Sequence, residues 1–210
     1  MADLRIGSYG EYYGSSYTSS SALTLSQMKV NATYIYKYLT AKGWTKNAIA
    51  GMLGNMQAES SINPGRWQSE DVGNTSLGYG LVQWTPATKY LQWCNEMGYS
   101  DPSEMNNNLE RILYELEKGL QWIATDNYNY SFDEFSKSNA SVEELASAFL
   151  KNYERAGVEV EETRRSNARE WLEYLNGQSG SDDSGGTTGG VSFRTSGFNF
   201  ILFNRRRRIF

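Results

Sequence analysis

Apolar residues recur at helical spacing along most of this chain, from Met28 to Leu175, with one interruption. Thr24 and Gln27 have the form of a capping box. Met28, Ala32, Ile35 and Leu39 then follow at steps of four, three and four, which predicts an amphipathic helix stopped by Gly43. Thr45 is placed to cap a second helix. Ile49, Met52, Leu53 and Met56 give that helix its apolar face, and it runs to Glu59 or Ser60 before Asn63-Pro64-Gly65 ends it. From Trp67 to Trp84 the pattern changes. Gly73, Gly78 and Gly80 punctuate this stretch, which predicts a short β-hairpin or extended loop. Asp101-Pro102-Ser103-Glu104 reads as a helix start, with a cap, a proline at the first position and an acid at the third. Leu109, Ile112, Leu113, Leu116 and Leu120 supply its buried stripe. Ser131 with Glu134, and Ser141 with Glu144, repeat the capping signature. Leu145, Phe149 and Tyr153 line a further helix, and Ala168, Trp171, Leu172 and Leu175 line the last. The predicted fold is mainly α (α+β): a helical bundle with one small β-hairpin, spanning residues 24–176.

The flanks have no such periodicity. Residues 1–23 are rich in Gly, Ser and Tyr and read as a flexible arm, disordered alone but able to dock on a partner. Residues 177–190 are Gly, Ser, Thr and Asp with one Gln, a flexible linker. Residues 191–210 form a basic-aromatic tail ending Asn204-Arg-Arg-Arg-Arg-Ile-Phe210. The first ten residues contain no apolar core of a signal peptide. The run Phe200 to Phe203 is too short to span a bilayer.

Composition narrows the chemistry. The chain has 210 residues and no histidine, which removes Ser-His-Asp and Cys-His catalysis and the common zinc sites. No metal or other cofactor is expected. Cys94 is the single cysteine, so no disulfide can form within the chain, and it reads as a small core filler. Residues 192–210 hold five arginines and no acid, leaving 15 basic against 24 acidic residues elsewhere, a net of −9. An acidic body argues against nucleic acid as the main ligand. Aromatic residues make up 14% of the chain; their rings fill cores and also stack on the apolar faces of sugars.

Glu59 is the leading candidate for chemistry. It follows Met56 by three residues and Met52 by seven, so it lies on or beside the buried stripe of its helix. It also lies in the last turn, where the helix dipole disfavours a negative charge. Apolar neighbours and the dipole would both favour the protonated carboxyl that a general acid needs. Beyond it comes the segment ending Gly80-Leu81-Val82-Gln83-Trp84. Gln83 suits sugar hydroxyls or an acetamido group, and Trp67, Tyr79 and Trp84 suit stacking on sugar rings. Core packing is the other use of each aromatic. A glycosidase usually pairs two carboxylates. Glu70 and Asp71 are the candidates for a second one; Asp71, just before the glycine-rich turn, is the better placed and equally a turn residue.

The run Ile49-Ala-Gly-Met-Leu-Gly-Asn-Met-Gln-Ala-Glu-Ser-Ser-Ile-Asn-Pro64, followed by Gly78-Tyr-Gly-Leu-Val-Gln-Trp-Thr-Pro86, resembles the phage tail lysozyme domain, as in tail-knob cell-wall hydrolases of small short-tailed Bacillus phages. The similarity extends from about Leu25 to Leu175 and includes Phe149-Leu-Lys-Asn-Tyr-Glu-Arg155. More distantly, Glu59-Ser60 and Gly80-Leu-Val-Gln83 resemble motifs of lytic transglycosylases and goose-type lysozymes. The resemblance implies a lysozyme-like fold with the β element flanking a cleft. It also implies Glu59 as catalytic acid, Gln83 and Ser60 as cleft residues, and Tyr153 at the position of a cleft tyrosine. The implied substrate is the glycan strand of peptidoglycan, and the implied setting is a virion tail tip acting on the host wall during genome entry. Tail proteins would be reached through the arm or the basic tail. Those Bacillus phage relatives carry a zinc endopeptidase domain after the lysozyme domain. A chain without histidine, continuing only into a linker and tail, implies a single glycan-cleaving activity without metal. Hydrolysis, transglycosylation by the substrate's own hydroxyl, and a glycan-binding structural role without cleavage all remain open at this point.

Overall fold

A computed structural model describes residues 5–8, 13–155 and 161–178; the linker and tail expected beyond residue 178 lie outside the described residues. The order is β1 (Arg5–Ser8), β2 (Ser15–Thr18), α1 (Leu25–Thr40), α2 (Lys46–Ser60), a 3₁₀ turn (Gln68–Glu70), α3 (Thr88–Glu96) and α4 (Met105–Lys118). There follow α5 (Phe132–Lys137), α6 (Val142–Ala148), a π-helical turn (Phe149–Glu154) and α7 (Glu161–Gln178). The fold is mostly helical, as a lysozyme-like α-rich architecture requires.

The helix starts follow the local chemistry. The Thr24 hydroxyl accepts from the Gln27 N–H while the Gln27 side chain accepts from the Thr24 N–H at 2.8 Å, a complete capping box. Ser131 and Glu134 form a second one on α5. Thr45 caps α2, and Ser141 caps α6. At α4 the expectation fails. Asp101 accepts from the Ser103 N–H at 2.9 Å and from its hydroxyl at 2.6 Å, so Asp101–Ser103 is an Asx turn. The helix starts only at Met105, after Glu104. Leu120 lies past the left-handed Gly119 that ends this helix and is 42% exposed. The buried positions of α4 are Met105, Asn108, Leu109, Ile112 and Glu115.

The core is built around α2, whose residues from Ala48 to Met56 are all buried. Such a helix is apolar nearly all round and must be wrapped by neighbours. Helices α6, α7 and α1 wrap it. Two glycines let them come close. A methyl group at Gly51 would sit 3.0 Å from the Leu145 and Ala146 backbone, and one at Gly54 would sit 2.5 Å from the Arg164 carbonyl and 2.8 Å from the Ala168 methyl. An aromatic cluster of Trp122, Phe132, Phe135, Phe149 and Tyr153 fills the space between α5 and the π-helical turn. Cys94 is buried and free.

The stretch 67–84, expected as a short β-hairpin or an extended loop, takes the loop form and makes only single bridges, Trp67 to Tyr79 and Tyr79 to Trp84. Ser69, Glu70, Gly73, Gly80 and Gln83 all have positive φ, so the backbone curls repeatedly and never runs straight long enough to ladder. Among the described residues the two-stranded sheet lies instead at the N-terminus, where β1 pairs antiparallel with β2 in the register Arg5 to Thr18. Residues 15–23, read as part of a flexible arm, pack onto the body, and Ser16, Thr18, Ser19 and Leu23 are buried.

Candidate functional site

Helix α2 delivers Glu59 to its C-terminal turn. Ser61 and Ile62 then take the left-handed conformation, with φ of 58° and 51°. This turns the chain sharply, and a β-branched residue there is unusual. The turn is stitched to the glycine-rich segment through Ser60, whose buried hydroxyl contacts the Met56 carbonyl at 3.1 Å and the Leu81 carbonyl at 2.8 Å and accepts from the Asn63 N–H at 3.2 Å. The two sequence blocks that carry the resemblance thus meet at Ser60 and Leu81. Ser60 works there as a fastening, buried away from solvent.

Glu59 does not face apolar neighbours alone. Arg164 Nη2 donates to Glu59 Oε1 at 2.6 Å, with the Glu59 side chain 15% exposed and the Arg164 side chain 2% exposed. Arg164 Nη1 also donates to the carbonyl and side-chain oxygens of Asn55, both at 3.2 Å. The glutamate is therefore an ion-paired carboxylate at the edge of the core. Arg164 was missed in the sequence, although it lies four residues before Ala168 on the buried stripe of α7.

The glycine-rich segment is held from beneath. Leu81 N–H donates to Asn108 Oδ1 at 3.1 Å. Gln83 Nε2 donates to the Arg66 and Gly80 carbonyls at 3.1 and 2.9 Å, which leaves Oε1 as the acceptor end of this half-buried amide. Trp84 is buried, stacks on Tyr90 with ring centroids 4.5 Å apart, and donates its Nε1–H to Glu115 Oε1 at 3.0 Å. Tyr79 is buried between Trp67 and Tyr90. Tyr153 is fully buried and donates its hydroxyl to Glu115 Oε2. Trp84, Tyr79 and Tyr153 thus spend their ring faces on the core, whereas Trp67 is half-buried. Asp71 is exposed and accepts from Asn74 Nδ2 at 2.8 Å, as a turn residue does.

Glu115 was also missed. It is 1% exposed and accepts from Arg111 Nε at 2.9 Å besides Trp84 and Tyr153. Burial pushes its carboxyl above the ordinary range, against the pull of those three donors. Its position in line with Met105, Asn108 and Ile112 was the available signal. Two shallow hollows of about 510 and 350 Å³ lie on the surface, one beside Asn47 and Arg169, the other beside Tyr99 and Asn107. Neither includes Glu59 or Gln83.

Residues 30–175 match the phage tail lysozyme family. Morphogenesis protein 1 of Bacillus phage B103 is 51% identical over 162 residues, which cover 77% of this chain. The match spans 44% of that relative's own length, so the chain corresponds to under half of it. With the Glu59 block and the Gly78–Trp84 block joined in one helical body, and the match covering most of that body, the chain belongs to the phage tail lysozyme family.

Proposed function

We propose that this protein is a virion-associated glycosidase of muramidase type, cutting the glycan strands of the host wall, with Glu59 as its general acid. The observation that carries the reading is a part-exposed carboxylate at the end of α2, fixed by a buried arginine and sitting next to the residue that fastens α2 to the Gly78–Trp84 turn. As an ion-paired carboxylate Glu59 holds no proton to give; to act as the acid it must let go of Arg164, take up a proton from water and pass it to the glycosidic oxygen, which leaves as the hydroxyl of the departing sugar. Gln83 Oε1 is the acceptor for a sugar hydroxyl or an acetamido N–H, and Trp67 is the ring open to stacking. Tyr79, Trp84 and Tyr153 act from within by fixing the turn.

Replacing the acid by its amide tests this. General acid catalysis contributes about 10²–10⁴-fold, so E59Q, checked for native folding, should clear purified walls at least about 10²-fold more slowly. Equal clearing by both proteins would end the assignment, and no clearing by either would favour a structural glycan-binding protein of the tail. A second reading, transglycosylation, draws on Asp71, whose carboxylate is engaged by Asn74 within its own turn. Without a second carboxylate, the substrate's own hydroxyl would attack. Mass spectrometry of the released muropeptides separates the two: reducing ends mean hydrolysis, and anhydro ends mean transglycosylation.

A further inference from the structure

We infer that the N-terminal strap, residues 17–21, is a positioning element of the Glu59 site, resting on the reading of Glu59 given above. The strap lies outside the residues matched by the family, which begin at 30. Two buried asparagines grip its backbone. Asn31 accepts from the Tyr17 N–H at 2.6 Å and donates to the Tyr17 carbonyl at 2.8 Å and the Ile62 carbonyl at 2.7 Å. Asn63 accepts from the Ser19 N–H at 3.2 Å and the Gly65 N–H at 3.0 Å, and donates to the Ser19 and Ser21 carbonyls at 2.8 and 2.7 Å. Every one of these bonds ends on the strap or on the turn that follows Glu59.

That turn needs holding. Ser61 and Ile62 are consecutive non-glycine residues at positive φ, a conformation that persists only where surroundings over-determine it. The strap supplies the surroundings. Lifting it off would strip Asn31 and Asn63, both fully buried, of partners for their amides, and such groups are costly to leave unpaired. The turn would then relax, and the last turn of α2, carrying Glu59, would move with it.

Gly65 gives a direct handle. A methyl group there would stand 2.3 Å from Thr18 Oγ1, with the Ser19 carbonyl next at 3.2 Å and Ser103 Cβ at 3.3 Å. G65A therefore presses on the strap, first on the Thr18 side chain and then, if that turns aside, on the Ser19 carbonyl. Thr18 Oγ1 is buried without a hydrogen-bond partner, so T18A removes the obstacle at little cost.

The experiment uses the full chain as wild type, G65A, T18A and the double variant, with turnover on soluble glycan fragments and amide hydrogen exchange read in parallel. G65A is expected to lower kcat at least tenfold with KM changed less than about twofold, and to speed exchange at the Ser61 and Ile62 amides. T18A alone should behave as wild type, and G65A/T18A should recover most of the lost kcat and protection. A folded G65A with wild-type exchange at these amides overturns the inference, as does a G65A defect that T18A fails to relieve. Exchange reads the strap whether or not Glu59 is the acid. An active E59Q protein in which T18A still restores protection to G65A would sink the catalytic reading and leave the strap's hold on the turn standing.

Discussion

Glu115 is a carboxylate taken almost wholly out of water and placed under the Gly78–Trp84 turn, where three donors converge on it. Burial raises its native pKa above the ordinary value of 4.5, so the native state holds this proton to higher pH than the unfolded chain does. The sign follows from linkage: its contribution is greatest below about 4.5 and is lost as pH climbs toward the raised native value. Each unit of elevation corresponds to about 1.4 kcal/mol. Urea unfolding of wild type and E115Q across mildly acidic to neutral pH should give curves that diverge, with wild type losing stability faster as pH rises. Parallel curves would mean that Glu115 ionises in the fold as freely as in the open chain. At Glu59 a buried arginine, Arg164, meets the carboxylate, as Arg111 does at Glu115.

At the scale of elements, the decisive contact is α2 against α7, since it brings Arg164 to Glu59. The approach depends on Gly54, which faces the Arg164 carbonyl and Ala168. G54A inserts a methyl where the nearest atom is backbone, which a flexible side chain cannot relieve. Overpacking of this kind costs about 1–3 kcal/mol, and the shift of α7 should withdraw the guanidinium from Glu59. The expected result is a lower denaturation midpoint together with impaired glycan cleavage. A variant with wild-type stability would show that the two helices have slack. The capping boxes of α1 and α5 illustrate the opposite regime, in which a three-residue pattern suffices because donor and acceptor are neighbours in the chain.

For the whole molecule, charge is the organising feature. An acidic body is followed by a tail with five arginines among residues 192–210, and we propose that this tail is a tether to an anionic wall polymer, a membrane surface or a virion partner. Deleting residues 191–210 should weaken association with walls or virions while leaving turnover on soluble fragments unchanged; undiminished association would remove the idea. Among the described residues, no helix is long and apolar enough to cross a membrane.

The sequence by itself determined most of the helices and the starts of α1, α2, α5 and α6, because apolar spacing and capping are decided within a few residues. It also placed Glu59 at a helix end, and the stripes of α4 and α7 already passed through Glu115 and Arg164, although charged residues on a stripe are readily taken for its solvent edge. Only the tertiary structure decided what those residues meet. The Arg164–Glu59 pair joins residues 105 apart in the chain, and the strap reaches Asn63 across 44. Such pairings depend on how helices stack and where glycines let them approach, and no local pattern encodes that. The same reason explains why Tyr79 and Trp84 suited either sugar stacking or core packing in the sequence and emerge as core, as Tyr153 does: an aromatic residue looks alike in one dimension whether it faces a groove or fills the space beneath it.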